Sequence, residues 1–222
     1  KAKGEMKKLY KHSEASDKGR LYSPESIQGL DAIIRGYLFR GITTDIDQVN
    51  SHPVLLRYIC KINLIRCPIL EEYVNNRDEI LEDLKNDGIE NGKTLILKIV
   101  NSEKTFRTKN EFIKDLTKEI KKIRGELLLN DEYNDLLKEA IKNKPNNITG
   151  SFINRLLCYY ENEVLQLMIN HINHKGFEIA CLSFDGLLIY GDAYDSLLGE
   201  LEAEINDCFD GMNMKLKIKE HS

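Results

Sequence analysis

The run from Phe177 to Tyr190, Phe-Glu-Ile-Ala-Cys-Leu-Ser-Phe-Asp-Gly-Leu-Leu-Ile-Tyr, constrains the fold more than any other part of the chain. Asp185-Gly186 interrupts two almost wholly apolar stretches, the pattern of two β-strands joined by a tight turn. A further strand is expected where Gly36 to Thr44 leads through Tyr37, Leu38, Phe39 and Ile42 into Asp45-Ile46-Asp47, and a last alternating one over Met212 to Glu220. Between these lie helical patterns. Asn50 or Ser51 can cap a buried helix carrying Pro53 in its first turn and Val54, Leu55, Leu56 and Ile59 on its apolar side. Pro68 restarts helical spacing as far as the turn at Asn86-Asp87-Gly88, and a short helix runs from about Gly92 to Val100. Residues 103–147 alternate in charge around a helical apolar stripe and read as exposed helices; Phe152 to His171 and Tyr194 to Phe209 are further helices. Strand, several helices, hairpin, helix, final strand is an α+β order, an antiparallel sheet with helices on one face.

Composition narrows the classes. With 222 residues, 41% of them hydrophobic, and 10 Tyr and 7 Phe, the chain buries a core and is not intrinsically disordered. No apolar run approaches the roughly 20 residues of a membrane span, so no membrane partner is expected. Its 32 basic and 36 acidic residues leave a net charge of -4, so any nucleic-acid contact must be local. Five cysteines without a CxxC pair, each among apolar neighbours, read as reduced buried thiols of a cytoplasmic or nuclear protein, not a secreted one. His171 and His174 sit at i and i+3 with no Cys or His neighbour to complete a zinc site. Residues 1–20 are Lys-rich, a lead-in with little core or the remnant of an upstream domain, and the first residue, Lys1, suggests a piece of something longer.

Two acidic positions carry the chemistry. Asp45 and Asp47 alternate and therefore share one face of their strand, while Asp185 sits at the hairpin tip. If the strands are neighbours, Asp47 and Asp185 converge, and paired carboxylates with no basic residue beside them in sequence call for a cation. Oxygen ligands of this kind suit Mg²⁺ or Mn²⁺, and the chemistry they permit is two-metal displacement at phosphorus.

At this point the residues resemble a family. Gly19-Arg20-Leu21, Gln28-Gly29-Leu30 and Ile34-Arg35 are similar to the landmarks that lead into motif A of family A DNA polymerases. Asp47-Gln-Val-Asn-Ser-His52-Pro53 resembles motif A itself, a catalytic Asp followed five positions later by a sugar-gate residue. Lys93, with Asn101-Ser102 eight positions on, resembles the fingers-helix motif B, and Leu182-Ser183-Phe184-Asp185-Gly186 resembles motif C. The similarity spans nearly the whole chain and is greatest to the divergent polymerases of virophages and related mobile elements.

The resemblance implies a right-hand polymerase palm with helical fingers: palm over 21–60 and 151–222, fingers and a charged helical insertion over 61–150. It implies a DNA-directed DNA polymerase that extends a primer with dNTPs and uses Mg²⁺ or Mn²⁺. Asp47 and Asp185 would bind the metals, with Asp45 a third candidate; a second register puts Asp45 at the catalytic position and Gln48 and Asn50 behind it. Lys93 would meet the triphosphate, with Lys98 as fallback, and His52 and Asn101 would border the sugar. Arg20, Gln28 and Arg35 would contact template or primer. His52, Asn101 and Gly186 stand where such polymerases carry Glu, Tyr and an acidic residue, which keeps open an enzyme using NTPs or a palm that only binds nucleic acid. A nuclease would share the carboxylates but have no use for Lys93. The expected partners are a DNA primer-template, a nucleoside triphosphate, and further helicase or primase domains in a longer parent chain.

Overall fold

The computed structural model describes residues 7–14, 16, 18–102, 106 and 108–219, and the chain divides into two compact units. Unit 1 comprises Lys1–Val49, Tyr159–Phe209 and Met214–Ser222; unit 2 comprises Asn50–Cys158 and Asp210–Asn213. Lys1 and Lys3 of the expected lead-in, the first residues of the charged block and Glu220 lie outside the described residues.

Unit 1 carries a two-stranded ribbon, β1 (Lys11–His12) with β2 (Leu21–Tyr22), followed by α1 (Ala32–Phe39) and β3 (Thr43–Gln48). Its later part holds β4 (Ile179–Ser183), β5 (Gly186–Tyr190), α9 (Leu197–Cys208) and β6 (Leu216–Lys219). The strands form one antiparallel sheet of order β4-β5-β3-β6. Asp47 lies opposite Gly186 and Lys217, Ile46 opposite Leu187 and Ile218, and Asp45 opposite Leu188 and Lys219. Alternation therefore puts Ile46, Leu187 and Ile189, all fully buried, on one face and Asp45 and Asp47 on the other. The core of the unit also draws on Val164, Leu165, Met168 and Ile172 and, from α9, on Leu197, Leu201 and Ile205.

Unit 2 is helical: α2 (Ser51–Ile62), α3 (Pro68–Asn75), α4 (Arg77–Asn86), α5 (Gly92–Asn101), α6 (Glu111–Leu127) and α7 (Asn134–Asn143). The 27-residue α8 (Ile148–His174) contains the division between the units, at Cys158/Tyr159. Pro68 opens α3, and the next two amides, Ile69 and Leu70, donate to the Glu119 carboxylate at 3.1 and 2.8 Å. An anion borrowed from α6 thereby satisfies the open N–H groups of a helix start. Arg57, buried on α2, donates to Asn75 Oδ1 at 3.1 Å and to the Met212 carbonyl, which ties residues 210–213 into this unit.

Several expectations need correction. Residues 36–39 are helical, the end of α1, whose cap Asp31 accepts from the Ile33 amide at 2.9 Å; the strand begins only at Thr43. The lead-in is anchored: Tyr10 Oη donates to Cys181 Sγ at 3.3 Å and accepts from the Leu182 amide at 3.1 Å. The helices of the charged block are amphipathic, with Ile113, Leu116, Ile120, Ile123 and Leu127 buried. α2 falls in unit 2, which begins at Asn50, and the last strand is Leu216–Lys219. Four cysteines are buried, while Cys208 is exposed. Among the described residues no helix is long and apolar enough to cross a membrane.

Candidate active site

The hairpin tip of unit 1 is Phe184-Asp185, with Gly186 already the first residue of β5. The positive φ that a tight turn needs falls on Phe184, at 56°, an uncommon conformation for an aromatic residue. Gly186 has another task. A Cβ there would lie 2.4 Å from the Ile46 carbonyl oxygen and 3.2 Å from Asp47 Oδ1, so only glycine lets β5 approach the end of β3 this closely. The Gln48 amide donates to the Asp185 carbonyl at 3.1 Å and ties the tip to β3.

The result is two carboxylates held together by backbone. Desolvation first, then the charges of Asp47 and Glu161, push Asp185 up to about 6, partly opposed by a backbone hydrogen bond and by Arg20. Glu161, on α8, has a side chain only 1% exposed and is paired with Arg20 through both Nε and Nη2. Sequence reasoning missed it. The available signal was a carboxylate within the apolar pattern of a long helix, a position that stays charged only when paired. Lys219 Nζ stands 3.7 Å from Asp47 Oδ2, a cation that the strand pairing supplies although none is near in sequence. Oxygen donors alone, mutually repelling and partly buried, fit Mg²⁺ or Mn²⁺: a divalent ion held by Asp47 and Asp185 would relieve the repulsion that raises Asp185.

Asp45 lies two pairs deeper in the sheet and is 7% exposed. Gln48 is buried at the end of β3. Gln28, expected to touch nucleic acid, is instead an internal tie: Nε2 donates to the Leu21 and Leu182 carbonyls at 2.9 and 3.2 Å, and Oε1 accepts from the Ser23 amide at 3.1 Å. Arg20, expected in the same role, holds Glu161, and Arg35 is half-buried within reach of the Cys181 thiol's field.

Unit 2 brings two other expected residues together. Asn101 Nδ2, at the end of α5, donates to His52 Nδ1 at 3.2 Å and to the Leu97 carbonyl at 3.0 Å, and Asn101 Oδ1 accepts from Asn154 at 3.3 Å. Lys93 is exposed in the first turn of the same α5, and Lys98 is exposed further along it. Asn50 has a left-handed backbone, φ 56°, and its Oδ1 accepts from Tyr73 Oη at 3.3 Å, a structural bond at the start of α2.

No protein-family model matches the chain. It is 31% identical over 247 residues to the Sputnik virophage protein "Putative helicase V13", an alignment that covers 98% of this chain and 30% of that protein. The chain thus spans less than a third of that relative's length. Among solved structures it is similar to the POL domain of Pol1 from M. smegmatis in complex with DNA primer-template and dNTP, with a TM-score of 0.52 and 11% identity, over 99% of this chain and 47% of that one. The architecture of this chain, a small antiparallel sheet with helices on one face plus a helical unit, is a polymerase-like α+β fold.

Proposed function

We propose that this chain is a template-directed nucleotidyltransferase of the family A type, extending a DNA primer with dNTPs, with Mg²⁺ or Mn²⁺ held by Asp47 and Asp185. The observation that carries this reading is the meeting of Asp47 and Asp185 at the end of β3, from opposite parts of the chain, with Gly186 making room. Asp47 is favoured over Asp45 because it faces the hairpin tip and its field acts on Asp185. A bound divalent pair would supply charge to activate the primer hydroxyl and to support the departing pyrophosphate.

The other roles fall to the chain's own groups. Lys93, exposed at the start of α5, meets the triphosphate as a point charge. His52, held by Asn101, borders the sugar, and an imidazole in place of a carboxylate sets the response to a 2′-hydroxyl. Lys219 holds the Asp47 carboxylate until substrate and metal arrive. The primer-template and nucleotide in the similar Pol1 structure support the choice of partners, and the helicase in the name of the longer virophage protein supports further domains beside this one. An intracellular or virion setting follows from a replicative role.

Primer extension on a labelled primer-template, with dNTPs and NTPs in separate reactions, tests the reading. Wild type is expected to extend, and Asp47→Asn and Asp185→Asn each to lose about 10³-fold in rate, several kcal/mol of transition-state stabilisation. Lys93→Ala separates polymerisation from nucleolysis, since only the former uses the triphosphate. A wild type that binds primer-template yet extends with neither nucleotide set leaves a palm that only binds nucleic acid.

A further inference from the structure

Arg20 and Glu161 form an ion pair beside the hairpin tip, and neither has a place in the chemistry above. Arg20 grips the buried Glu161 carboxylate through Nε and Nη2, the latter at 3.0 Å. The same guanidinium stacks over the Phe184 ring, 5.1 Å from its centroid, and Tyr22 meets that ring edge-on at 5.7 Å. Phe184 is the residue with φ 56°, and Asp185 follows it directly. A non-glycine residue stays in that conformation only where its surroundings over-determine it. Here the Arg20 guanidinium and the Tyr22 ring both contact it.

We infer that Glu161, Arg20 and Phe184 form a clamp that fixes the β4–β5 tip so that Asp185 is aimed at Asp47, which makes Glu161 and Arg20 positioning residues of the metal site. This rests on the polymerase reading of that site. Glu161 fixes the guanidinium plane, the plane fixes the ring, and the ring fixes the turn that carries Asp185. Arginine is required because a lysine keeps the charge but loses both the planar fork and the stack.

Removing one partner alone strands a buried charge and can unfold the chain. The informative variant is therefore the neutral pair Arg20→Gln/Glu161→Gln, compared with Arg20→Lys, Asp185→Asn and wild type. Mn²⁺ affinity, read from the free-ion paramagnetic resonance signal, is measured beside thermal stability and the Mg²⁺ dependence of extension. The double variant is expected to melt near wild type yet bind Mn²⁺ tenfold or more weakly, the range typical of outer-shell partners. Its half-saturating Mg²⁺ should rise in parallel while KM for dNTP stays within about twofold, and Arg20→Lys should fall between. A double variant with wild-type metal affinity overturns the clamp and leaves the polymerase reading standing. Wild-type Mn²⁺ binding that Asp185→Asn does not weaken overturns both.

Discussion

Asp185 is a side chain whose charge is expensive in the metal-free protein. Burial and the neighbouring carboxylates push it up to about 6 from an ordinary 3.8, so the folded state favours its protonated form. The sign follows: this contribution to stability is complete below about pH 4 and is lost as pH rises through about 6. Two pKa units correspond to about 3 kcal/mol, and screening at this partly exposed tip reduces that to about 1–2 kcal/mol. Asp185→Asn removes the ionisation, so with chelator present the variant should melt above wild type at pH 8 and gain little at pH 4.5. Thermal scans at the two pH values decide it, and an equal gain at both would assign the cost to something other than this carboxylate. Added Mg²⁺ reverses the ranking at pH 8, because only wild type has both carboxylates to bind it.

At the scale of elements, the β3–β5 pairing depends on one missing methyl group. A Cβ at 186 would stand 2.4 Å from the Ile46 carbonyl oxygen, which is backbone and cannot swing away. Gly186→Ala is expected to destabilise the fold by about 3 kcal/mol and to lower metal affinity, because the strands that bring Asp47 to Asp185 must part. Equilibrium urea unfolding measures the first effect, and a change under about 0.5 kcal/mol would mean that the pair relaxes without loss. Gly186 also shows what was legible in the sequence. Apolar runs on either side of Asp185-Gly186 announced the hairpin, and alternation put Asp45 and Asp47 on one face, because both patterns are local. The reason for the glycine was not legible, since it lies in a strand that is far away in the chain. Glu161 escaped notice for the same reason: its partner Arg20 precedes it by 141 positions. α1 was misread because Ala-Ile-Ile-Arg-Gly-Tyr-Leu-Phe is apolar on all sides and carries neither period clearly. The helices of unit 2 announce themselves through their Pro and Asn-Asp-Gly boundaries and a stripe that recurs every three or four residues, while the break at Asn76 between α3 and α4 carries no such signal.

Over the whole molecule, a net charge of -4 limits what a palm and a helical unit can do with a polyanion. Few phosphates can be neutralised, so the salt dependence of primer-template binding should be shallow, with a log-log slope corresponding to about two to four contacts, and extension should be distributive. Fluorescence anisotropy between low and moderate salt gives the slope; one near that of a ten-contact binder would reveal a basic surface that the overall charge conceals. The two units are also interleaved in the chain, and this has a consequence for synthesis on the ribosome. β3 pairs only with β5 and β6, which follow it after the whole of residues 50–158. At about 5–20 residues per second the nascent strand therefore waits roughly 10–30 s with both edges open to any other strand in the crowded cell. Thr-Thr-Asp-Ile-Asp-Gln passes that interval with two negative charges on one face. Asp45 and Asp47 would then act first as gatekeepers, repelling a second nascent copy of the same strand until the intended neighbours emerge.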